Sequence, residues 1–214
     1  MMTEQLLQLL PFAVILLGFY VLASQRLRAC VEAVALQGAL ISCYPLLLHG
    51  FEGQALMLSG GALLLKGIVI PLMLLRAMRK LQIEREIESL IGFIPTLVVG
   101  VVVAAGAFLF ADTLPLALEH HHSLVVPTAL ATMGCGFLLI ITRRKALTQV
   151  LGYLVLENGI YIFGALISKV LPAMVEAGVL LDLLVAVFIM GIVLHQIKRE
   201  FSTLDTQPLT ELKE

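Results

Sequence analysis

Three ionisable side chains stand inside hydrophobic runs long enough to cross a membrane: Lys66, Glu157 and Asp182. Glu157 interrupts the apolar stretch 147–166, Asp182 the stretch 178–190, and Lys66 the stretch 54–76. An ionisable group at such depth costs several kcal/mol, roughly 2.5–3.5 on insertion scales, so it is expected to face protein or water rather than lipid. At the rise of an α-helix, Lys66 lies about 15 Å, Glu157 about 16 Å and Asp182 about 22 Å from the basic end of its own run. Burial disfavours the charged form of a carboxylate. A group held near that balance can take up a proton and return it as water or a cation comes and goes. Proton relay is the chemistry these residues suit. The competing role is structural, a hydrogen-bonded acid or buried ion pair that locks helices together. Lys66 fits either role, biasing the charge of nearby carboxylates or pairing with them.

The elements that must position these groups follow from composition. Hydrophobic residues make up 60% and charged residues 14% of the 214-residue chain. A soluble domain carries about a quarter charged residues, so the chain is committed to lipid. A span needs about 20 largely apolar residues. Seven such runs fit, near 5–23, 29–49, 54–76, 90–111, 124–142, 147–169 and 174–197. The first run has no basic region before it and no small-residue cleavage site after it, so it is expected to remain as the first span. The stretch 76–88 mixes both signs of charge and reads as a helical extension at the membrane surface.

Cytoplasmic flanks carry the excess of Lys and Arg. An N-terminus outside puts every Lys and Arg except Lys66 and Lys169 on the cytoplasmic side, with the C-terminus inside. The expected fold is therefore an all-α integral membrane protein of seven transmembrane helices. It forms a single membrane domain over 1–200, followed by a cytoplasmic tail over 201–214. Spans one to three (1–80) and five to seven (124–197) repeat the same orientation, and each trio has a basic turn after its first span, Arg26-Leu27-Arg28 and Arg143-Arg144-Lys145. Two same-way trios require an odd linking span, which 90–111 supplies. Gln37-Gly38 then corresponds to Asn158-Gly159, and Lys66 to Asp182, with weak identity otherwise.

The remaining polar residues point to simpler roles. Glu32 is one turn from Arg28 and suits a surface pair. His49 and His195 sit at the ends of their spans, and His120-His121-His122 fits a solvated loop better than a metal site. Cys30, Cys43 and Cys135 lie singly in apolar runs and read as small packing residues rather than cluster ligands. The glycines fit close helix packing. No phosphate loop, nucleotide fingerprint or catalytic triad occurs.

Gly152-Tyr153-Leu154-Val155-Leu156-Glu157-Asn158-Gly159, with Asp182 downstream in 175–190, resembles the hydrogenase-4 component E family. The resemblance extends to Lys66 with Pro71-Leu72, and to the tail from Thr203-Leu204-Asp205 through Leu209-Thr210-Glu211-Leu212-Lys213. It implies a membrane subunit of a complex-I-like, energy-converting [NiFe]-hydrogenase or formate hydrogenlyase in the bacterial inner membrane. Spans five to seven look like the K-type subunit of complex I and the C-type subunit of Mrp antiporters, which carry intramembrane carboxylates on their second and third helices. Glu157 matches the first of these positions. At the second, complex I has Glu where this chain has Asp182, so water bridging rather than direct handover is expected there. The resemblance implies Glu157, Asp182 and Lys66 as proton-transfer residues and no cofactor in this chain. The NiFe centre and iron–sulfur clusters would belong to partner subunits. Expected partners are antiporter-like and quinone-subunit-like membrane proteins and a cytoplasmic hydrogenase arm, with the tail docking on a neighbour. Two alternatives stay open, a subunit of an Mrp-type cation/proton antiporter and a purely structural membrane scaffold.

Overall fold

A computed structural model describes residues 2–49, 53–81, 90–114, 124–167, 181–182 and 184–191. The order along the chain is α1 (Met2–Ala23), α2 (Leu27–Ile41), α3 (Tyr44–His49), α4 (Gly53–Leu64), a π-helical segment (Leu65–Val69), α5 (Ile70–Leu81), α6 (Phe93–Ala111), α7 (Val125–Thr142) and α8 (Ala146–Ile167). Residues 181–182 and 184–191 are also helical. No β-strand forms among the described residues. Helices are what lipid demands, because each satisfies its own backbone hydrogen bonds.

Five helical stretches are long and apolar enough to cross a membrane: Leu27–Leu47, Ser59–Arg79, Phe93–Ala111, Val125–Thr142 and Ala146–Gly164. A shorter apolar stretch, Leu9–Ala23, precedes them. These match six of the seven expected runs in place. The seventh run, the triple-histidine loop, His195, Lys169, the end of the charged connection and the tail lie wholly or largely outside the described residues.

Two expected spans are not single uniform helices. The run 29–49 breaks between α2 and α3 at Ser42–Cys43. Pro45 explains the break, since it offers no N–H to the carbonyl of Ile41 one turn earlier. Ser42 Oγ turns back to Gly38 O at 2.7 Å, and Cys43 N–H reaches Leu40 O at 3.2 Å, a tighter turn. The run 54–76 changes register where Lys66 sits: the backbone widens to a π turn over Leu65–Val69, and Ile70 N–H donates to Leu65 O. Pro71 follows at once. It cannot donate to Lys66 O and so cannot carry the wide register on. The helix thus meets Pro71 with a π turn on the proline's N-terminal side.

The described residues bury two apolar clusters. One, at the end bearing the basic turns, gathers Leu22, Leu27, Val31, Leu74, Leu151 and Val155 among others. The other, toward the opposite end, joins Leu10, Val14, Ile41, Tyr44, Ala129, Tyr161 and Ile162. α7 and α8 run side by side with backbones nearly touching. A Cβ added at Gly159 would stand 2.7 Å from Met133 N, and one at Gly152 would stand 2.8 Å from Ile140 N. Gly60, Gly61 and Gly164 do not share that role among the described residues, none of which lies within 4 Å of an added Cβ there.

The basic turns are less superficial than their charge suggests. Arg28 pairs with Glu32 at 3.0 Å on the exposed surface, as the spacing implies. Arg143, by contrast, is buried. Its Nη2 donates to Leu22 O at 2.7 Å, and its guanidinium lies 4.2 Å from the Phe93 ring centroid. The cation therefore satisfies a carbonyl in the last turn of α1 while stacking at the start of α6. Of the cysteines, Cys30 and Cys135 are buried, while Cys43 is exposed and so departs from the packing role expected of it.

Candidate functional site

The three intramembrane charges meet. Lys66 Nζ, in the π segment, pairs with Glu157 Oε1 of α8 and with Asp182 Oδ1, the latter at 3.1 Å. Their side chains are 3%, 1% and 2% exposed, so the cluster is buried within the chain. Lys66 brings together groups 91 and 116 residues away in sequence.

Local structure aims each group. Glu157 lies at mid-length of α8, where the close α7 contact through Gly152 and Gly159 leaves its own face to look elsewhere. Lys66 is presented by the π turn, a rare register that is frequent at functional sites. Gly38 lets α2 approach this turn, since a Cβ there would lie 2.8 Å from the Lys66 Cβ. Only glycine accommodates that crossing, which accounts for Gly38 following a buried glutamine.

Around the ions lies a polar chain. Asn158 Nδ2 donates to Gln37 Oε1 at 3.1 Å, and Gln37 Nε2 donates to Val14 O at 2.9 Å. Both side chains are buried. The chain ties α8, α2 and α1 together beside the ion cluster. Gln37 and Asn158, far apart in sequence, thus touch one another across the molecule.

Two features were not singled out in the sequence. Tyr161, one helical turn beyond Glu157, places its ring 5.4 Å from Lys66 Nζ. A ring face at that distance attracts an ammonium ion. Its signal was the i, i+4 spacing from Glu157, but a tyrosine in an apolar run is unremarkable by itself. The second is the remaining Glu157 oxygen: Oε2 is buried and has no hydrogen-bond partner among the described residues. A carboxylate oxygen left so is costly, and it is the place where a proton or a water can attach.

Chemically, the cluster holds one cation and two acids. With all three ionised it carries one net negative charge. With one proton shared by the carboxylates it is neutral. Such a site can store a proton and release it when the local charge changes.

Comparison with known proteins shows the family of the chain. Residues 124–214 match the family described as NADH-ubiquinone/plastoquinone oxidoreductase chain 4L. The chain is 30% identical over 202 residues to hydrogenase-4 component E of Escherichia coli, an alignment covering 92% of this chain and 93% of that protein. It is 34% identical over 196 residues to the uncharacterized protein Rv0085 of Mycobacterium tuberculosis, covering 88% of this chain and 87% of that one. No solved structure matches.

Proposed function

As the chain belongs to the hydrogenase-4 component E family, a membrane subunit of a complex-I-like oxidoreductase assembly, we propose that its Lys66–Glu157–Asp182 cluster stores and passes protons in step with electron transfer elsewhere in that assembly. The observation that carries the reading is a single buried lysine shared by two buried carboxylates from different elements. Net charge in a dry interior is expensive. The number of protons on the carboxylate pair is therefore tied to any charge that arrives nearby, and a charge arriving on one side moves a proton on the other. Asp182 stands at 3.1 Å from the same ammonium as Glu157, so Lys66 couples the two acids and need not itself carry the proton.

The assembly is of the energy-converting [NiFe]-hydrogenase or formate hydrogenlyase type in this proposal. Its metal centre and iron–sulfur clusters reside in partner subunits, and its antiporter-like and quinone-subunit-like membrane proteins flank this chain. The N-terminus lies outside the bacterial inner membrane and the C-terminus in the cytoplasm, supported by the clustering of Lys and Arg at one end. The chain forms one membrane domain of seven spans, with 90–111 linking the trios 1–80 and 124–197, and a tail over 201–214 that docks on a neighbour. The meeting of Arg143 with the end of α1 supports placing the two basic turns at the same face of the membrane.

Glu157→Gln tests the role. Glutamine keeps the volume and an acceptor for Lys66, so the purified complex is expected to retain its full set of subunits. Proton movement coupled to hydrogenase turnover in sealed membrane vesicles is expected to fall severely. Unimpaired proton movement in an assembled E157Q complex removes the proposal. Loss of assembly in E157Q, together with full proton movement in whatever complex remains, assigns the ions a locking role instead.

A further inference from the structure

Four hydroxyl groups in the interior have no hydrogen-bond partner among the described residues: those of Tyr44, Ser59, Thr128 and Tyr161. All four residues are at least nine-tenths buried, at 0%, 5%, 0% and 6% exposure. Their positions share a direction. Tyr161 lies one turn beyond Glu157 on α8, away from the basic turns. Ser59 lies two turns before Lys66 on α4, toward the same end. Thr128 is in the first turn of α7, and Tyr44 begins α3. Tyr44 and Tyr161 pack in one cluster with Ala129, the residue after Thr128, and Ala62, one turn from Ser59. All four therefore gather on the side of the ion cluster opposite Arg26–Arg28 and Arg143–Lys145.

Other buried hydroxyls bond back along their own chain: Ser42 Oγ donates to Gly38 O at 2.7 Å, Thr132 Oγ1 to Thr128 O at 2.7 Å, Thr142 Oγ1 to Leu138 O at 2.6 Å and Thr148 Oγ1 to Lys145 O at 2.8 Å. On the side of the ion cluster toward the basic turns, the space next to Lys66 is a cavity of about 10 Å³ walled mainly by Val31, Val34, Ile70 and Leu74, with Lys66 and Asn158 as its polar lining. It has room for a single water at most and few groups to hold one. Serine and threonine in a membrane helix ordinarily bond back to the preceding turn. Hydroxyls that do not, grouped beside a buried charge, are the lining that internal water uses.

We infer that the ion cluster communicates with water through a hydroxyl-lined route made by Tyr161, Tyr44, Ser59 and Thr128, on the side away from the basic turns, while the side of Lys66 toward the basic turns is walled mainly by apolar side chains. The occupants are water molecules, two to four hydrogen bonds each being available from these hydroxyls, the unpaired Glu157 Oε2 and one another. Tyr161 is the link between water and ions, because its ring contacts Lys66 and it is one turn from Glu157. The inference rests on the proposed proton role for its purpose, but the wet route itself is a separate physical claim. Combined with the proposed orientation, it makes the periplasmic side the one with which the cluster exchanges protons.

Two measurements on the assembled complex in membranes test it. In a background with Cys30, Cys43 and Cys135 replaced, single cysteines are placed by Ser59→Cys, Thr128→Cys and, on the opposite side, Leu74→Cys. Silver ions need only a path of water width. Silver treatment before denaturation and alkylation, read by mass spectrometry, is expected to protect the thiols introduced at 59 and 128 and to leave the one at 74 alkylated. Protection at 74 with none at 59 and 128 overturns the inference, as does absence of protection at all three. Separately, Tyr161→Phe and Tyr44→Phe are expected to leave subunit content unchanged and to lower coupled proton movement several-fold, with Thr142→Val as a neutral control. Unchanged proton movement in both phenylalanine variants counts against the route. If E157Q is fully active while silver still protects 59 and 128, the wet route stands and the proton role falls. If E157Q is inactive and the thiols at 59 and 128 stay open to alkylation, the proton role stands and this route falls.

Discussion

At the scale of single residues, the energetics centre on one ammonium ion. Removing one partner of a buried ion pair typically costs about 3–5 kcal/mol, because the other is left uncompensated. Lys66→Met leaves two acids facing each other, and each must then take a proton or find water. The expected outcome is a complex that melts at distinctly lower temperature in detergent and couples poorly. A Lys66→Met complex with unaltered melting would show that the lysine carries no structural weight. Asn158→Leu acts beside it, removing the bond to Gln37 and stranding that amide oxygen. Interhelical polar bonds in membranes contribute roughly 0.6–1.7 kcal/mol, so a modest fall in thermal stability is expected, with proton coupling largely kept. All three ions were legible in the sequence, since a charge in an apolar run is conspicuous in one dimension. Tyr161 was not, because its importance depends on what faces it.

At the scale of elements, the site depends on a helix that departs from α geometry. The π turn at Leu65–Val69 and the glycine opposite it form one device. Gly38→Val places a branched side chain against the Lys66 stem, and overpacking of this kind costs about 1–3 kcal/mol. The variant is expected to assemble with reduced yield and to lose coupling, because α2 is pushed from the π turn and the ammonium moves off its carboxylates. Measuring proton movement per complex, rather than per cell, separates the two effects. Arg143 is the second such device. Arg143→Met removes a charged hydrogen bond to α1 and a stacking contact on α6. A hydrogen bond to a charged group contributes about 1.5–3 kcal/mol, so thermal stability of the complex should fall while proton chemistry at the distant cluster is unaffected. The periodicity of apolar residues marks where these helices run, yet it is blind to the π register and to the break before Tyr44. Pro71 and Pro45 hint at both. A proline announces that a donor is missing, and only the packed neighbours decide how the backbone answers.

At the scale of the whole molecule, one helix stands apart. α6 buries Thr96, Gly100, Ala104 and Ala111, while Ile94, Val98, Val102, Leu109 and Phe110 face outward. The helix touches its own chain on a narrow stripe of small residues and presents lipid or a neighbour with the rest. The C-terminal tail is the other candidate for contact, with Leu204, Leu209 and Leu212 spaced along it. Truncation after Arg199 is expected to leave the membrane helices inserted and to release a partner subunit from the purified complex. Unchanged subunit content by mass spectrometry would argue that the tail holds nothing.

Membrane residence, most of the span positions and the identity of the three buried ions follow from the order of residues alone. Hydrophobic length and stray charge are one-dimensional quantities, and lipid leaves the backbone little choice but the helix. That Lys66 faces both Glu157 and Asp182 is a different kind of fact. It joins groups far apart in the chain, and it turns on which face each helix shows, how a π turn rotates one side chain and how closely two glycines let backbones approach. Those are properties of packing in three dimensions. Until the helices meet, the same three charges are equally compatible with isolated hydrogen-bonded acids and with one shared proton site.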